Sequence, residues 1–93
     1  MQYRLAPEAE SELDDVWQYL ARQSANESIA DTQISSLTET FWLLARHPRI
    51  GRYWNPQLVP GLRTFPVGQY VVLYRLEKGK VLILHVLRGS RNI

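Results

Sequence analysis

The sequence predicts a single α+β domain over residues 1–93, with a short N-terminal strand, an antiparallel helical hairpin and a three-stranded antiparallel meander in that order. Three observations lead to this fold class. A chain of 93 residues has the length of one domain. Apolar residues recur with the helical period in the first half, and beyond residue 61 they alternate as in strands. One face of such a sheet must cover the helices, because two layers around one core form the stable arrangement.

The N-terminal segment predicts one strand and one helix. Residues 2–5 alternate polar and apolar side chains, as a short strand does. Pro7 suits the first position of the following helix, where its missing N–H costs nothing. Glu8 and Glu10 then lie near the positive end of the helix dipole. The apolar stripe of this helix, spaced i, i+3, i+4 and i+7, consists of Leu13, Val16, Trp17 and Leu20.

A second helix follows after a short connection, so the two helices should pack as an antiparallel hairpin. Ser24 and Glu27 predict a capping box at its start. The helix should end at His47, because the residue before Pro48 avoids helical dihedral angles. Its apolar positions are Ala30, Ile34, Leu37, Phe41 and Leu44.

An irregular loop and three strands complete the chain. Residues 48–61 contain three prolines and two glycines, which predicts a loop. Gly68 permits a tight reversal, and residues 77–80 predict a hairpin turn. The strands are expected at about 62–67, 69–76 and 81–87. Alternation places four side chains on one face of the middle strand, namely Tyr70, Val72, Tyr74 and Leu76.

Composition bounds the location of the protein. The chain has no cysteine, which excludes disulfide bonds and thiolate metal ligands. Its longest apolar runs, at 70–74 and 81–84, are far too short to span a bilayer. The acidic N-terminal segment does not resemble a signal peptide. We therefore expect a soluble cytoplasmic protein without a membrane partner.

Charge is distributed unevenly along the chain. Residues 1–45 carry two arginines against eight acids, a net charge of −6. Residues 46–93 carry nine lysines and arginines against one glutamate, a net charge of +8. This asymmetry predicts an acidic or polyanionic partner for the second half. The alternative is that the two halves simply attract each other within the fold.

Several chemistries lack the residues that they require. His47 and His85 stand 38 residues apart without cysteine, so neither a metal site nor a cofactor is expected. No Ser–His–acid motif and no glycine-rich phosphate loop occurs. The carboxylates of the first helix are interpreted as a solvated face, and they comprise Glu8, Glu10, Glu12, Asp14 and Asp15.

Metal-free RNA cleavage requires a proton-transfer pair beside cations that bind the phosphate. Arg63 and Arg88 would supply cations, and His85 would have to transfer the proton. Arginine itself is a poor base because it stays protonated. Alternation places His85 on a face with Ile83, directed towards the core, which weakens this hypothesis.

A basic surface that binds without chemistry is the other hypothesis. The candidate binding residues are Arg49, Arg52, Trp54, Arg63, Arg88 and Arg91. Tyr53 and Tyr70 would add aromatic faces for stacking bases. Alternatively, Tyr70 packs in the core and Trp54 holds the loop. Arg75 stands among apolar residues, so its role is predicted to be structural, with its charged head paired.

The segments GLRTFPVGQYVVLYR and VLRGSR resemble the ParE branch of the RelE/ParE toxin superfamily. YRLAPEAESELDDVWQYLA is similar to the first strand and acidic first helix of that family, and HPRIGR to its loop. The resemblance implies a toxin of a bacterial or archaeal type II toxin–antitoxin system. It also implies a hetero-oligomer with a ParD-like antitoxin, whose acidic C-terminal segment neutralises the toxin.

The resemblance leaves the target open between two kinds of toxin. ParE-like members are associated with inhibition of DNA gyrase, whereas RelE-like members cut mRNA on the ribosome. RelE-like nucleases place a tyrosine or histidine near the C-terminus, but the last tyrosine here is Tyr74 and the tail offers neither. We therefore expect gyrase inhibition by binding, without enzymatic activity. The alternatives are a ribosome-dependent ribonuclease using His85, Arg63 and Arg88, and a non-toxic binding domain.

Overall fold

In the computed structural model, two helices pack on one face of a five-stranded sheet. The structure describes residues 2–24 and 26–89. The elements are β1 (Tyr3–Leu5), α1 (Pro7–Ser24), α2 (Glu27–Arg46), β2 (Arg52–Tyr53), β3 (Arg63–Val67), β4 (Tyr70–Glu77) and β5 (Lys80–Arg88). The predicted α+β class and helical hairpin are therefore present.

The sheet is larger than predicted and mixed in direction. Its strand order is β1-β5-β4-β3-β2. β3, β4 and β5 form the expected antiparallel run, but β1 joins it in parallel beside β5. β2 pairs with β3 inside the segment predicted to be an irregular loop, where the Trp54 N–H donates to the Leu62 carbonyl at 2.9 Å. A two-residue strand has no periodicity of its own, so its sequence gave no strand signal.

Both helices begin and end at local signals. α1 starts at Pro7 and α2 ends before Pro48, as predicted. The predicted capping box is wrong, because Ser24 still belongs to α1 and its hydroxyl donates to the Leu20 carbonyl at 2.7 Å. Asn26 caps α2 instead, its side chain accepting the Ser28 N–H. Neither helix of the described ranges is long and apolar enough to cross a membrane.

The core lies between the helical hairpin and the inner face of the sheet. Its largest fully buried side chains are Tyr74, Phe41, Leu37, Leu44, Ile83, Val72 and Val81. The predicted inner face of β4 is buried from Tyr70 to Tyr74, but Leu76 is 40% exposed. Leu76 lies beside the residues that follow α2, where no helix covers the sheet.

A bulge in β5 changes the direction of one side chain. Leu73 of β4 lies opposite His85. The next residue, Tyr74, lies opposite Ile83, so Leu84 is an extra residue in β5. Such a bulge shifts the alternation of faces along the strand. The prediction that His85 points towards the core is therefore wrong, and its side chain is 42% exposed.

Candidate binding surface

The loop between α2 and β2 is held in one shape by two side chains from the sheet. The Tyr74 hydroxyl accepts the Gly51 N–H at 2.9 Å and donates to the Pro48 carbonyl at 2.8 Å. Arg63 Nη1 donates to the Gly51 carbonyl at 2.7 Å and to the Arg49 carbonyl at 3.3 Å. These bonds satisfy backbone groups that no helix or strand pairs. The loop is therefore preformed.

Gly51 is the point of closest approach between this loop and the sheet. A Cβ atom there would lie 2.7 Å from Tyr74 Cε1 and 2.9 Å from the Thr64 carbonyl oxygen, and it would overlap the Tyr74 hydroxyl. Gly51 is itself buried. The glycine of the HPRIGR segment is therefore required by packing, because any larger residue would separate the loop from Tyr74.

Burial sets the protonation of the Tyr74 hydroxyl. It raises the pKa of Tyr74 above the ordinary value of 10.0, although the hydrogen bond to Gly51 and the charge of Arg63 act in the opposite direction. The folded chain therefore binds this proton more tightly than the unfolded chain. The contribution of this group to stability is complete below pH 10 and is lost as the pH rises towards the folded pKa.

We expect Tyr74→Phe to remove this pH dependence. At pH 8 the variant should be less stable than the unsubstituted chain, because the Gly51 N–H and the Pro48 carbonyl lose their partner; a cost of about 1–3 kcal/mol is typical. The difference in unfolding free energy between the two proteins should narrow as the pH rises above 10, because only the unsubstituted chain has a buried hydroxyl that resists ionisation in the folded state. Urea unfolding of both proteins from pH 8 to 11 measures the gap, and a constant gap would contradict the assignment.

Arg49 and Arg63 line one cleft at this end of the sheet, whereas Arg52, which pairs with Thr64, points to the opposite face from Tyr53 and Arg63. Arg49, Arg52 and Trp54 are exposed on the loop and at β2. Arg63 lies beside Arg49, and its guanidinium is 3.9 Å from the centroid of the Tyr53 ring. Because Arg63 also anchors the loop, its guanidinium has a structural role that the sequence did not indicate.

The other predicted cations lie elsewhere. Arg63 is opposite Tyr74, whereas Arg88 is opposite Tyr70 on the far side of β4. With ~3.3 Å per residue and ~4.8 Å between strands, their Cα atoms are about 16 Å apart. Arg88 contacts α1 through Tyr19, at 5.3 Å from the ring centroid. The predicted residue Arg91 lies outside the described residues.

His85 belongs to a third location, at the edge of β5 beyond β1. Its Nδ1 lies 2.9 Å from Glu12 Oε2, and Glu12 Oε1 accepts the Val86 N–H at 2.8 Å. The carboxylate therefore occupies the place of a neighbouring strand. Glu12 was expected on a solvated face and instead joins α1 to the sheet. The structure does not bring His85, Arg63 and Arg88 into one site.

Leu76 is a surface residue that sequence reasoning missed. It lies between two shallow clefts, both of which are also lined by Arg49. The smaller cleft, about 400 Å³, is completed by Tyr53, Gly61 and Arg63. The larger, about 500 Å³, is completed by Arg46, His47, Pro48 and Ile50. Leu76, which alternation alone predicts to lie in the core, thus forms an apolar surface beside the cationic loop.

Salt bridges within the fold do not explain the charge asymmetry. Arg75 pairs with Glu77 at 2.7 Å, and Arg4 approaches the same carboxylate at 3.8 Å. Across residues 2–24 and 26–89, no lysine or arginine of the second half forms a salt bridge with an acid of the first half. The predicted pairing of Arg75 is present, on the surface. The positive charge of the loop therefore faces solvent.

Comparison with known proteins identifies the family. Residues 3–93 match the family model of the ParE toxin of the type II toxin–antitoxin system parDE. Toxin ParE1 of Caulobacter vibrioides is 36% identical over 90 residues, which cover 97% of this chain and 91% of that protein. Toxin ParE3 of the same organism is 42% identical over 65 residues, which cover 70% of this chain and 64% of ParE3, slightly under two thirds of its length.

A solved structure supports the same fold. A chain of the chromosomal ParDE toxin–antitoxin system from P. aeruginosa superposes with a TM-score of 0.80 at 20% identity, covering 97% of both chains. Its two-layer arrangement of helices on a sheet matches the architecture described above. The family match extends from β1 across the preformed loop to the C-terminus. The chain therefore belongs to the ParE toxin family of type II toxin–antitoxin systems.

Proposed function

We propose that this ParE-family toxin inhibits DNA gyrase by binding it, and that a ParD-like antitoxin with an acidic C-terminal segment neutralises it in a cytoplasmic hetero-oligomer. The observation that carries the proposal is the preformed loop with the start of β2, where Arg49 and Arg52 are exposed and form no salt bridge within residues 2–24 and 26–89. Such a surface suits recognition of an acidic partner.

The arrangement favours binding over catalysis. A proton-transfer group must lie within hydrogen-bond reach of the reacting atom, beside the cations that hold the phosphate. Residues 47–54 carry two groups able to transfer protons, but His47 lies at the end of α2 and the Arg63 guanidinium covers one face of the Tyr53 ring at 3.9 Å. His85 lies opposite Leu73, whereas Arg63 lies opposite Tyr74, the next residue of β4, so His85 and Arg63 are on different faces of the sheet. Arg63 is also committed to the loop backbone.

One observation favours a ribosome-dependent ribonuclease as the second candidate. His85 is half-exposed and oriented by Glu12, an arrangement that can position a general base. The ribonuclease hypothesis is weakened because the second carboxylate oxygen of Glu12 accepts the Val86 N–H, so the Glu12–His85 pair already caps the edge of β5. The ribonuclease would also have to act without Arg63.

Two assays separate these functions. Purified toxin should block the supercoiling of relaxed plasmid by gyrase, and addition of the antitoxin encoded beside it should restore supercoiling. Ribosome-bound mRNA should stay intact in parallel reactions. His85→Gln should leave gyrase inhibition unchanged, because the edge of β5 lies away from the loop. Normal supercoiling at high toxin concentration would refute the proposal, and mRNA cuts lost in His85→Gln would establish the ribonuclease.

A further inference from the structure

We propose that the surface formed by Arg46, Arg49, Ile50 and Leu76, here named the Arg49 surface, docks a peptide segment in which carboxylates flank one apolar side chain. This inference rests on the proposed neutralisation by an acidic antitoxin segment and specifies the chemistry of that segment. Leu76 and Arg49 line both clefts, so one ligand placed across them would contact an apolar floor and a cationic ridge together.

The shape of the surface suits side chains that insert singly. The clefts measure about 400 and 500 Å³, within the range of about 300–1,000 Å³ found for ligand sites. Both are shallow and open: Leu76, which lines both clefts, and Ile50, which lines the larger one, remain partly exposed. A bound apolar side chain would cover Leu76 and Ile50, which provides the attraction that an entirely polar ligand lacks.

The charges specify what should flank that apolar side chain. Arg46 and Arg49 are exposed, and neither forms a salt bridge within the two described ranges. Guanidinium groups bind carboxylates through two parallel hydrogen bonds. Because Arg49 lines both clefts, a carboxylate on either side of the apolar residue would lie within its reach.

Nucleic acid fits the surface less well. Binding of a single strand combines phosphate contacts with stacking of bases on aromatic faces. The guanidinium of Arg63 covers one face of Tyr53 at 3.9 Å, so this ring has only its other face to offer. Leu76 lies among the cations, where a phosphate chain would lose hydration against an apolar side chain.

The surface requires little ordering when a partner arrives. Tyr74 and Arg63 already hold the loop backbone on both sides of Arg49, through bonds to Pro48 and Gly51. A preformed site avoids the entropic cost of fixing a loop on binding. The flexible component of the complex is therefore the peptide segment.

The test uses three probes and the whole chain. One nine-residue peptide carries a central leucine flanked by glutamates, a second replaces that leucine with serine, and the third probe is a twelve-nucleotide oligothymidylate. Binding is followed by amide shifts in ¹⁵N spectra. The leucine peptide should bind about tenfold more tightly than the serine peptide, with the largest shifts at Arg49, Ile50 and Leu76.

Leu76→Ser and Leu87→Ser form a matched pair, because the two leucines are 40% and 42% exposed and both lie in the sheet. Leu76→Ser should abolish the preference for the leucine peptide, and Leu87→Ser should retain it. Three results would overturn the inference: neither peptide binds, Leu76→Ser keeps the preference for the leucine peptide, or the oligonucleotide binds at least as tightly as the leucine peptide. If peptide binding depends on Leu76 but the toxin leaves supercoiling by gyrase unimpaired, only the proposal of gyrase inhibition is refuted.

Discussion

Gly51→Ala is expected to lower the free energy of unfolding by roughly 2–4 kcal/mol, the combined cost of overpacking and of lost buried hydrogen bonds. The new methyl group would overlap the Tyr74 hydroxyl and approach the Thr64 carbonyl oxygen to 2.9 Å. Tyr74 is 0% exposed, so its ring has no open space into which to move. The loop must therefore lift from the sheet, which breaks the bonds that Tyr74 makes to it.

Urea unfolding with a matched glycine variant measures this effect. Gly61→Ala is the control, because a Cβ at Gly61 meets nothing within 4 Å and only the positive φ of +84° opposes it, at about 1–2 kcal/mol. Combining Gly51→Ala with Tyr74→Phe should recover part of the loss, since the hydroxyl is the nearest obstacle. A Gly51→Ala protein as stable as the unsubstituted chain would show that the loop is not held in the described way.

Features of the fold that depend on residues close together in the sequence could be predicted from the sequence. Pro7 starts α1, Pro48 ends α2, and the apolar period between them identifies the helical hairpin. Lys78 and Gly79 both have positive φ, as a tight two-residue hairpin turn requires. In each case the decisive interaction lies within a few positions along the chain.

Features that depend on pairing between distant strands could not be predicted. The parallel pairing of β1 with β5 follows from the whole path of the chain. A single extra residue, Leu84, reverses the inferred direction of His85. The contact of Glu12 with Val86 joins residues 74 positions apart, and no local pattern indicates it.

The candidate site was predictable in kind but not in arrangement. The charge asymmetry, which can be counted without a fold, predicts that arginines of the second half bind a partner, and this stays a prediction. Strand register then decides that Arg63 joins Arg49 while Arg88 lies about 16 Å from Arg63. Leu76 illustrates the limit of alternation, because a residue on the inner face is buried only where a helix covers it.

Reversing the charge of the loop with Arg49→Glu and Arg52→Glu should weaken antitoxin binding by about 100-fold, equivalent to ~2.7 kcal/mol. Both arginines are exposed, and across the two described ranges neither forms a salt bridge, so their replacement should leave the fold intact. Each substitution removes an attraction and adds a repulsion towards an acidic segment. Isothermal titration with the antitoxin encoded beside the toxin, at 50 and 300 mM salt, measures the change.

The matched control is Arg22→Glu with Lys78→Glu, which alters the net charge equally at exposed positions outside the loop. If binding depends on the geometry of the loop, the control should lose affinity only slightly. Equal losses in both proteins would instead mean that the antitoxin senses the overall charge of the toxin. The loss in the loop variant should shrink at 300 mM salt, because a Debye length of about 5–6 Å screens exposed charges at that concentration. A loss that salt does not reduce would assign the effect to misfolding of the loop.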